Sequence, residues 1–145
     1  AFIIGAGGVV PSIIFALQNI GLKKIGVSNR TMEKIEIIKS RFQHIEKVEW
    51  GDLGDYDMYI NATSVGLEKN DDLNLDISKL KSNKIFYDVI YNPPITNFLE
   101  NAKKFGHKIL NGETMFLFQA QKAFELWHKI SPKIDNNLIN FIRND

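Results

Sequence analysis

The residues of this sequence whose types and spacing can do chemistry fall into a few short clusters, and the first is Gly5-Ala6-Gly7-Gly8. It ends an apolar run and opens a helical pattern. Gly5 permits a tight reversal, and Gly7 lets the backbone come close to a ligand where a β-carbon would intrude. Backbone N–H groups at the start of the following helix then face a phosphate. Pro11 fits the first helical turn, where it removes no needed donor. The third glycine of the G-x-G-x-x-G spacing is replaced by Val10, which sets the helix slightly further from the strand. Taken alone, such a turn is equally an ordinary tight connection between strand and helix.

The second cluster is Ser28-Asn29-Arg30-Thr31, with Lys34 just beyond it. Dinucleotide- and S-adenosylmethionine-binding domains commonly place a carboxylate here for the ribose hydroxyls. This chain places a guanidinium instead, with its fixed fork of donors, beside the side chains of Asn29 and Thr31. A ribose 2′-phosphate fits that set, so the sequence points to NADP rather than NAD and away from a methyltransferase. The plain alternative is that Asn29 and Thr31 cap a helix and Arg30 is solvated. Capping and phosphate binding can coexist.

Composition narrows the remaining chemistry. The chain has 145 residues, 44% hydrophobic and 24% charged, which suits one globular domain with a sizeable core. A formal net charge of +1 makes no overall case for nucleic acid or an anionic membrane. Cysteine is absent, which removes thiolate catalysis, disulfides and cysteine metal sites and fits a reducing cytoplasm. His44, His107 and His128 lack the spacing of a metal site, and each is expected on the surface or in packing. No apolar run approaches the roughly 18 residues of a membrane span, and the start lacks the basic region of a signal peptide. Because the chain begins with Ala1 inside a strand-like run, we expect a fragment of a larger protein.

The elements that must position these clusters follow from periodicity. Four apolar residues without alternation at the start suit a strand buried on both faces. Ser12 to Ile20 reads as a helix ended by Gly21, with Phe15 and Ile20 among its apolar residues. Ile25 to Ser28 is a second strand, and Thr31 is expected to cap a helix through Arg41 that turns Ile35, Ile37 and Ile38 inward. Val48 to Trp50 is a third strand, followed by a polar loop over 51–55. Asp57 to Asn61 is a fourth strand, and Ala62-Thr63-Ser64-Val65-Gly66 stands at its carboxyl end, the side on which open α/β sheets bind ligands. Glu68 to Asp76 reads as an exposed polar loop. Lys84 to Val89 is a fifth strand, stopped by Pro93 and Pro94. Thr96 to Phe105 is helical, His107 to Leu110 a sixth strand, and Glu113 to Lys129 a long helix with a wide apolar face. Pro132 stops that helix, and Asp135 caps a last one through Ile142. The expected fold is therefore α/β, a Rossmann-like, doubly wound and mostly parallel sheet of about six strands with helices on both faces.

Five motifs in this order resemble shikimate dehydrogenase. They are Gly5-Ala6-Gly7-Gly8, Ser28-Asn29-Arg30-Thr31, Asn61-Ala62-Thr63-Ser64-Val65-Gly66, Tyr87-Asp88-Val89-Ile90-Tyr91-Asn92-Pro93, and Gly112-Glu113-Thr114-Met115 with Gln119-Ala120 and Phe124-Glu125-Leu126-Trp127. The glycine turn is common to many folds, whereas the Asn-Ala-Thr-Ser run and the late Gln-Ala helix are specific. The resemblance spans nearly the whole chain and implies the carboxyl-terminal, NADP-binding domain of an oxidoreductase of aromatic amino-acid biosynthesis, on the chorismate pathway. That family reduces 3-dehydroshikimate to shikimate with NADPH.

By resemblance, Asn29, Arg30, Thr31 and Lys34 hold the adenosine 2′-phosphate. Gly5, Ala6, Gly7, Gly8 and Val9 form the turn, with Gly7 and Gly8 facing the pyrophosphate. Thr63, Ser64, Val89 and Gly112 lie by the nicotinamide, and Asn61, Ala62 and Met115 complete the cofactor set. Tyr91 and Gln119 match positions that reach the substrate. Gln119 also stands among apolar residues, and a buried amide without partners costs about 1–3 kcal/mol, so it should find a partner or line a cleft. Thr63 and Ser64 have a plainer reading as satisfiers of backbone groups where the strand ends. Asp88 reads as structural. The family's catalytic Lys and Asp belong to an amino-terminal domain that this chain lacks, so no residue here takes either role. Val10 and Pro11 depart from the family's usual residues. A quinate/shikimate dehydrogenase and a non-catalytic NADPH-sensing module remain open as alternatives. The oligomeric state is also open, with a homodimer among the states allowed.

Overall fold

The computed structural model describes residues 1–81 and 83–144. They form two compact units, Ala1–Asn111 and Gly112–Asp145. The first contains β1 (Phe2–Ile4), α1 (Val10–Asn19), β2 (Ile25–Ser28), α2 (Met32–Arg41), β3 (Ile45–Lys47), β4 (Met58–Asn61), β5 (Ile85–Asp88), α3 (Asn97–Lys104) and β6 (Lys108–Leu110). The six strands make one sheet in the order β3-β2-β1-β4-β5-β6, and every adjacent pair is parallel. The chain therefore winds outward in one direction from β1 to β3 and in the other from β4 to β6. The point of reversal lies between β1 and β4, where open α/β sheets leave a crevice at the carboxyl ends of the strands.

Alternation along β1 divides the apolar residues between two cores. Ile3 packs with Val10, Ile14, Val27, Ile35 and Ile60 on one face. Phe2 and Ile4 pack with Tyr59, Phe86, Phe98 and Leu99 on the other. Helices α1 and α2 thus cover one side and α3 the other, as a central parallel strand buried on both faces requires. Among the described residues, no helix is long and apolar enough to cross a membrane.

Several local expectations change. α1 begins at Val10, two residues earlier than its apolar pattern, so Pro11 lies inside the first turn. Its buried stripe is Val10, Ile14 and Leu17, whereas Phe15 and Ile20 are exposed. In α2, Ile35 and Ile38 are buried but Ile37 is exposed, because it lies two positions from Ile35 and so points away from the sheet. The third strand is Ile45–Lys47 rather than 48–50. Ile45 alone of its residues enters the core, because β3 is an edge strand with Glu46 and Lys47 in solvent. Val48 lies just past the strand, donating its N–H to the Val27 carbonyl at 3.0 Å and packing its half-buried side chain against the second core.

The loop expected to be polar over 51–55 and the loop expected to be exposed over 68–76 carry the core residues Leu53 and Leu73, joined by Tyr56 and Ile77 just beyond them. Leu53 and Tyr56 pack beneath Phe2 and Tyr59, and Leu73 and Ile77 fill the same core from the long β4–β5 crossover. Apolar side chains of that crossover take the place on the sheet that a helix would otherwise cover. Within the loop, the Asp71 carboxylate accepts from Gly66 N and Glu68 N, which folds it back on itself.

The second unit consists of α4 (Glu113–His128) and α5 (Asn136–Asn144). Lys129, in the left-handed conformation at φ 58°, closes α4. The Asp135 carboxylate accepts from Leu138 N at 3.0 Å and so starts α5 as its sequence suggests. The Nε of Arg143 donates to Glu113 at 2.9 Å, and Gln121 donates to the Pro132 carbonyl at 2.7 Å, which ties α5 and the linker to α4. Phe118, Phe124, Leu126 and Trp127 are exposed.

Candidate functional site

The crevice is built around Gly5. Its N–H donates to the Ser28 carbonyl at 2.7 Å, and Ala62 N donates to the Ile4 carbonyl at 2.8 Å, so the ends of β1, β2 and β4 are bonded together. At φ +114°, a Cβ on Gly5 would lie 2.8 Å from the Ala62 carbonyl oxygen and 3.0 Å from the Thr63 methyl. Gly5 is thus demanded by the chain itself. Gly7 and Gly8 are not. Both are exposed, and a Cβ would meet only the Ala62 carbonyl, 4.0 Å away, at Gly7 and nothing within 4 Å at Gly8. Bare backbone facing open space is the cradle an approaching pyrophosphate needs.

The start of α1 has matching electrostatics. Val9 occupies its cap without any side-chain hydrogen bond, and the first turn contains no acid. A helix start with neither a side-chain cap nor an acid favours an anion through the helix dipole. Val10, where the fingerprint has glycine, is fully buried among Ile3, Ile14 and Val27, so the core has absorbed the larger side chain.

Beside this turn lies a cavity of about 180 Å³ lined by Asn29, Arg30, Thr31, Lys34, Trp50, Thr63 and Val65. All four residues expected to hold a 2′-phosphate are in it, and among the described residues no carboxylate lines it. Asn29 Nδ2 donates to the Thr31 carbonyl at 2.8 Å, which fixes the loop. Thr31 stands at the cap position of α2 but makes no capping bond through its side chain. Its hydroxyl is left for the cavity, contrary to the expectation of a side-chain cap. Trp50, which the sequence placed only in a strand, lies under the Arg30 guanidinium with 5.1 Å to the ring centroid. An aromatic just past the third strand was the available signal for it.

At the end of β4 the Asn61 side chain is consumed internally. Its Oδ1 accepts from the N–H and hydroxyl of Thr63 at 3.1 and 2.7 Å, and its Nδ2 donates to the Val65 carbonyl and to Asp88 Oδ2, both at 3.0 Å. The Thr63 hydroxyl also accepts from Val65 N at 3.0 Å. Asn61 therefore shapes the loop from beneath, and Thr63 meets the crevice with its methyl. Asp88, fully buried, further accepts from Thr96 Oγ1 at 2.7 Å and Ile90 N at 3.0 Å. Burial pushes its carboxyl pKa above the ordinary value, against the pull of the bonds from Thr96, Ile90 and Asn61. Asp88 has the structural role its position suggested.

Val89 is half-buried beside this network, its N–H on the Asn61 carbonyl at 3.0 Å, while Ser64 and Tyr91 are exposed. Gly112, Met115 and Gln119 belong to the second unit, with Gln119 exposed on α4. A separate cleft of about 530 Å³ lies between the 66–69 loop and residues 92–100, and none of the expected site residues lines it. Among the described residues, no group of three or more His, Asp or Glu is placed to hold a metal ion.

No family model matches the chain. It is 54% identical over 142 residues to the shikimate dehydrogenase (NADP(+)) of Pelagibacter ubique, covering 98% of this chain and 54% of that protein. It is 43% identical over 149 residues to that of Caldicellulosiruptor saccharolyticus, covering 97% of this chain and 53% of the relative. The chain thus spans about half the length of the curated relatives it matches. Among solved structures, shikimate 5-dehydrogenase from Thermus thermophilus in complex with NADP(H) and shikimate superposes with a TM-score of 0.79 at 30% identity, covering 91% of this chain and 50% of that one. Shikimate dehydrogenase from Aquifex aeolicus gives 0.81 at 28%, covering 99% and 53%. Matched along nearly all of its own length at this identity and sharing the fold of the solved enzymes, the chain is homologous to part of the shikimate dehydrogenases.

Proposed function

We propose that this chain is the NADP-binding part of an NADP-dependent shikimate dehydrogenase, an oxidoreductase that reduces 3-dehydroshikimate to shikimate. The observation that carries the cofactor reading is the cavity at the end of β2, which holds Arg30 and Lys34 and, among the described residues, is lined by no carboxylate. An NAD site would put an acid there for the ribose hydroxyl. The names of the relatives, which specify NADP(+), support the same reading.

When bound, NADPH supplies the hydride that reduces the substrate's carbonyl carbon, while a proton goes to the carbonyl oxygen. The residues of this chain position the cofactor. Gly7, Gly8 and the α1 start take the pyrophosphate, on the turn completed by Gly5, Ala6 and Val9. Asn29, Arg30, Thr31 and Lys34 take the 2′-phosphate. Asn61 and Ala62 set the loop that presents Thr63 and Ser64, which with Val89 are assigned to the nicotinamide; by the resemblance alone, Gly112 is assigned to the nicotinamide as well and Met115 to the cofactor. Tyr91 and Gln119, both exposed, are assigned to the substrate. The proton donor is assigned to the part of the enzyme outside this chain, so the chain alone binds cofactor without turnover. We place the enzyme in the cytoplasm, with which its cysteine-free sequence agrees.

Calorimetric titration of the 145-residue chain with NADPH and with NADH tests the reading. Tighter binding of NADPH by about tenfold or more is expected, one charge-assisted contact being worth that much. Equal affinities would remove the 2′-phosphate assignment. Oxidation of NADPH by 3-dehydroshikimate with the chain alone, at an ordinary enzymatic rate, would show that the proton donor lies within it.

A further inference from the structure

The Arg30 guanidinium is held by an aromatic ring. It lies over the Trp50 indole, 5.1 Å from the ring centroid, and among the described residues no carboxylate pairs with it. Trp50 is itself half-buried and packs against the second core, so the ring is a fixed support rather than a loose neighbour. A guanidinium can be fixed by a carboxylate or by an aromatic face. A carboxylate occupies two of the in-plane N–H donors and neutralises the charge. An aromatic face attracts the cation through the ring quadrupole and leaves the donors at its edge free. This chain uses the second means, at the mouth of a cavity whose other cation is Lys34.

We propose that Trp50 is a specificity-determining residue: by fixing Arg30 without neutralising it, the indole sets the preference for adenine dinucleotides carrying a 2′-phosphate over those without one. The inference rests on the cofactor reading above and adds a residue 20 positions from Arg30, in the loop after β3. Removing the ring releases Arg30 into many rotamers, and only the ligand that Arg30 contacts through its edge loses affinity.

The test is calorimetric titration of the wild-type chain, Trp50→Leu and Trp50→Phe with NADPH and NADH. A cation–π contact of ordinary strength corresponds to roughly a three- to tenfold effect, so Trp50→Leu should lose about that factor for NADPH and less than twofold for NADH. Trp50→Phe, which keeps an aromatic face, should recover part of the preference. An NADPH preference that survives intact in Trp50→Leu, or an equal loss for both cofactors, overturns the inference and leaves the cofactor reading standing. A wild-type chain with no NADPH preference overturns both. A second measurement leaves Trp50 in place: replacing the other tryptophan, exposed Trp127, by Phe makes Trp50 the sole indole. Titration with 2′,5′-ADP should then change its emission saturably, at concentrations where 5′-AMP changes it little. No change with 2′,5′-ADP, or the same change with both, overturns the inference even where Trp50→Leu fails to fold.

Discussion

Asn61 and Asp88 stand opposite one another in the register of β4 and β5, and the amide of the first donates to the buried carboxylate of the second at 3.0 Å. Through this bond two fully buried side chains together govern three segments. Asn61 holds the Thr63 loop, Asp88 holds the Ile90 backbone, and Thr96 joins Asp88 to the start of α3, where its hydroxyl accepts from Leu99 N at 3.4 Å. The loops that follow two adjacent strands are thereby fixed to each other at the crevice.

Asp88→Ala removes an acceptor shared by three donors and leaves the Asn61 amide and Thr96 hydroxyl buried without it. Unsatisfied buried groups of this kind cost about 1–3 kcal/mol each, so a loss of roughly 2–4 kcal/mol in unfolding free energy is expected. Chemical denaturation measures it, and a loss under about 1 kcal/mol would mean that the network contributes little.

Arg30→Ala should weaken NADPH binding by about tenfold or more, the equivalent of one charge-assisted hydrogen bond, and barely change NADH. Because Arg30 is exposed and makes no ion pair among the described residues, its loss should lower the melting temperature by no more than the few degrees that the Trp50 contact is worth. Parallel losses for the two cofactors would place Arg30 away from the 2′-phosphate.

Gly5→Ala and Gly8→Ala should separate structure from binding. At Gly5 the backbone is left-handed and the new Cβ strikes the Ala62 carbonyl, so destabilisation of about 1–3 kcal/mol is expected. At Gly8 nothing lies within 4 Å, so stability is kept while the methyl group intrudes on the space assigned to the pyrophosphate. Thermal melts together with NADPH titration check both, and an intact NADPH affinity in Gly8→Ala would count against that assignment.

His107 makes stability depend on pH. It is buried and stacked on Phe86 at 4.9 Å between ring centroids, and neither ring nitrogen has a hydrogen-bond partner among the described residues. Burial, reinforced by the positive charge of Lys84, holds the imidazole pKa below its ordinary 6.5. The unfolded chain therefore takes up a proton near that pH while the folded chain refuses it, and stability falls as pH drops through about 6.5 until the folded imidazole itself titrates. Asp88, with its pKa raised, acts in the opposite sense, losing stability as pH rises through its folded value. The informative quantity is thus the difference between wild type and His107→Phe, whose melting temperature should fall less from pH 7.5 to 5.5. Identical falls in the two proteins would show that His107 is not the group responsible.

The sequence alone determined those features whose cause is local. The glycine turn, the alternation of strands and helices, the cap at Asp135 and the cationic cluster from Arg30 to Lys34 each depend on residues within a turn or two of one another. The Asn-Ala-Thr-Ser run and the late Gln-Ala pair carried the family resemblance in the same way. Tertiary structure decided what depends on partners far along the chain. Ile45 rather than Val48 opens β3 because pairing with Ile25 sets that edge, where a single inward residue leaves no apolar run to read. Leu73 and Ile77 enter the core, and Ile37 leaves it, according to what the sheet presents to them. Trp50 came under Arg30, and Asn61 against Asp88, through strand register. Register is fixed by the summed packing of all six strands, and no window of neighbouring residues contains that sum.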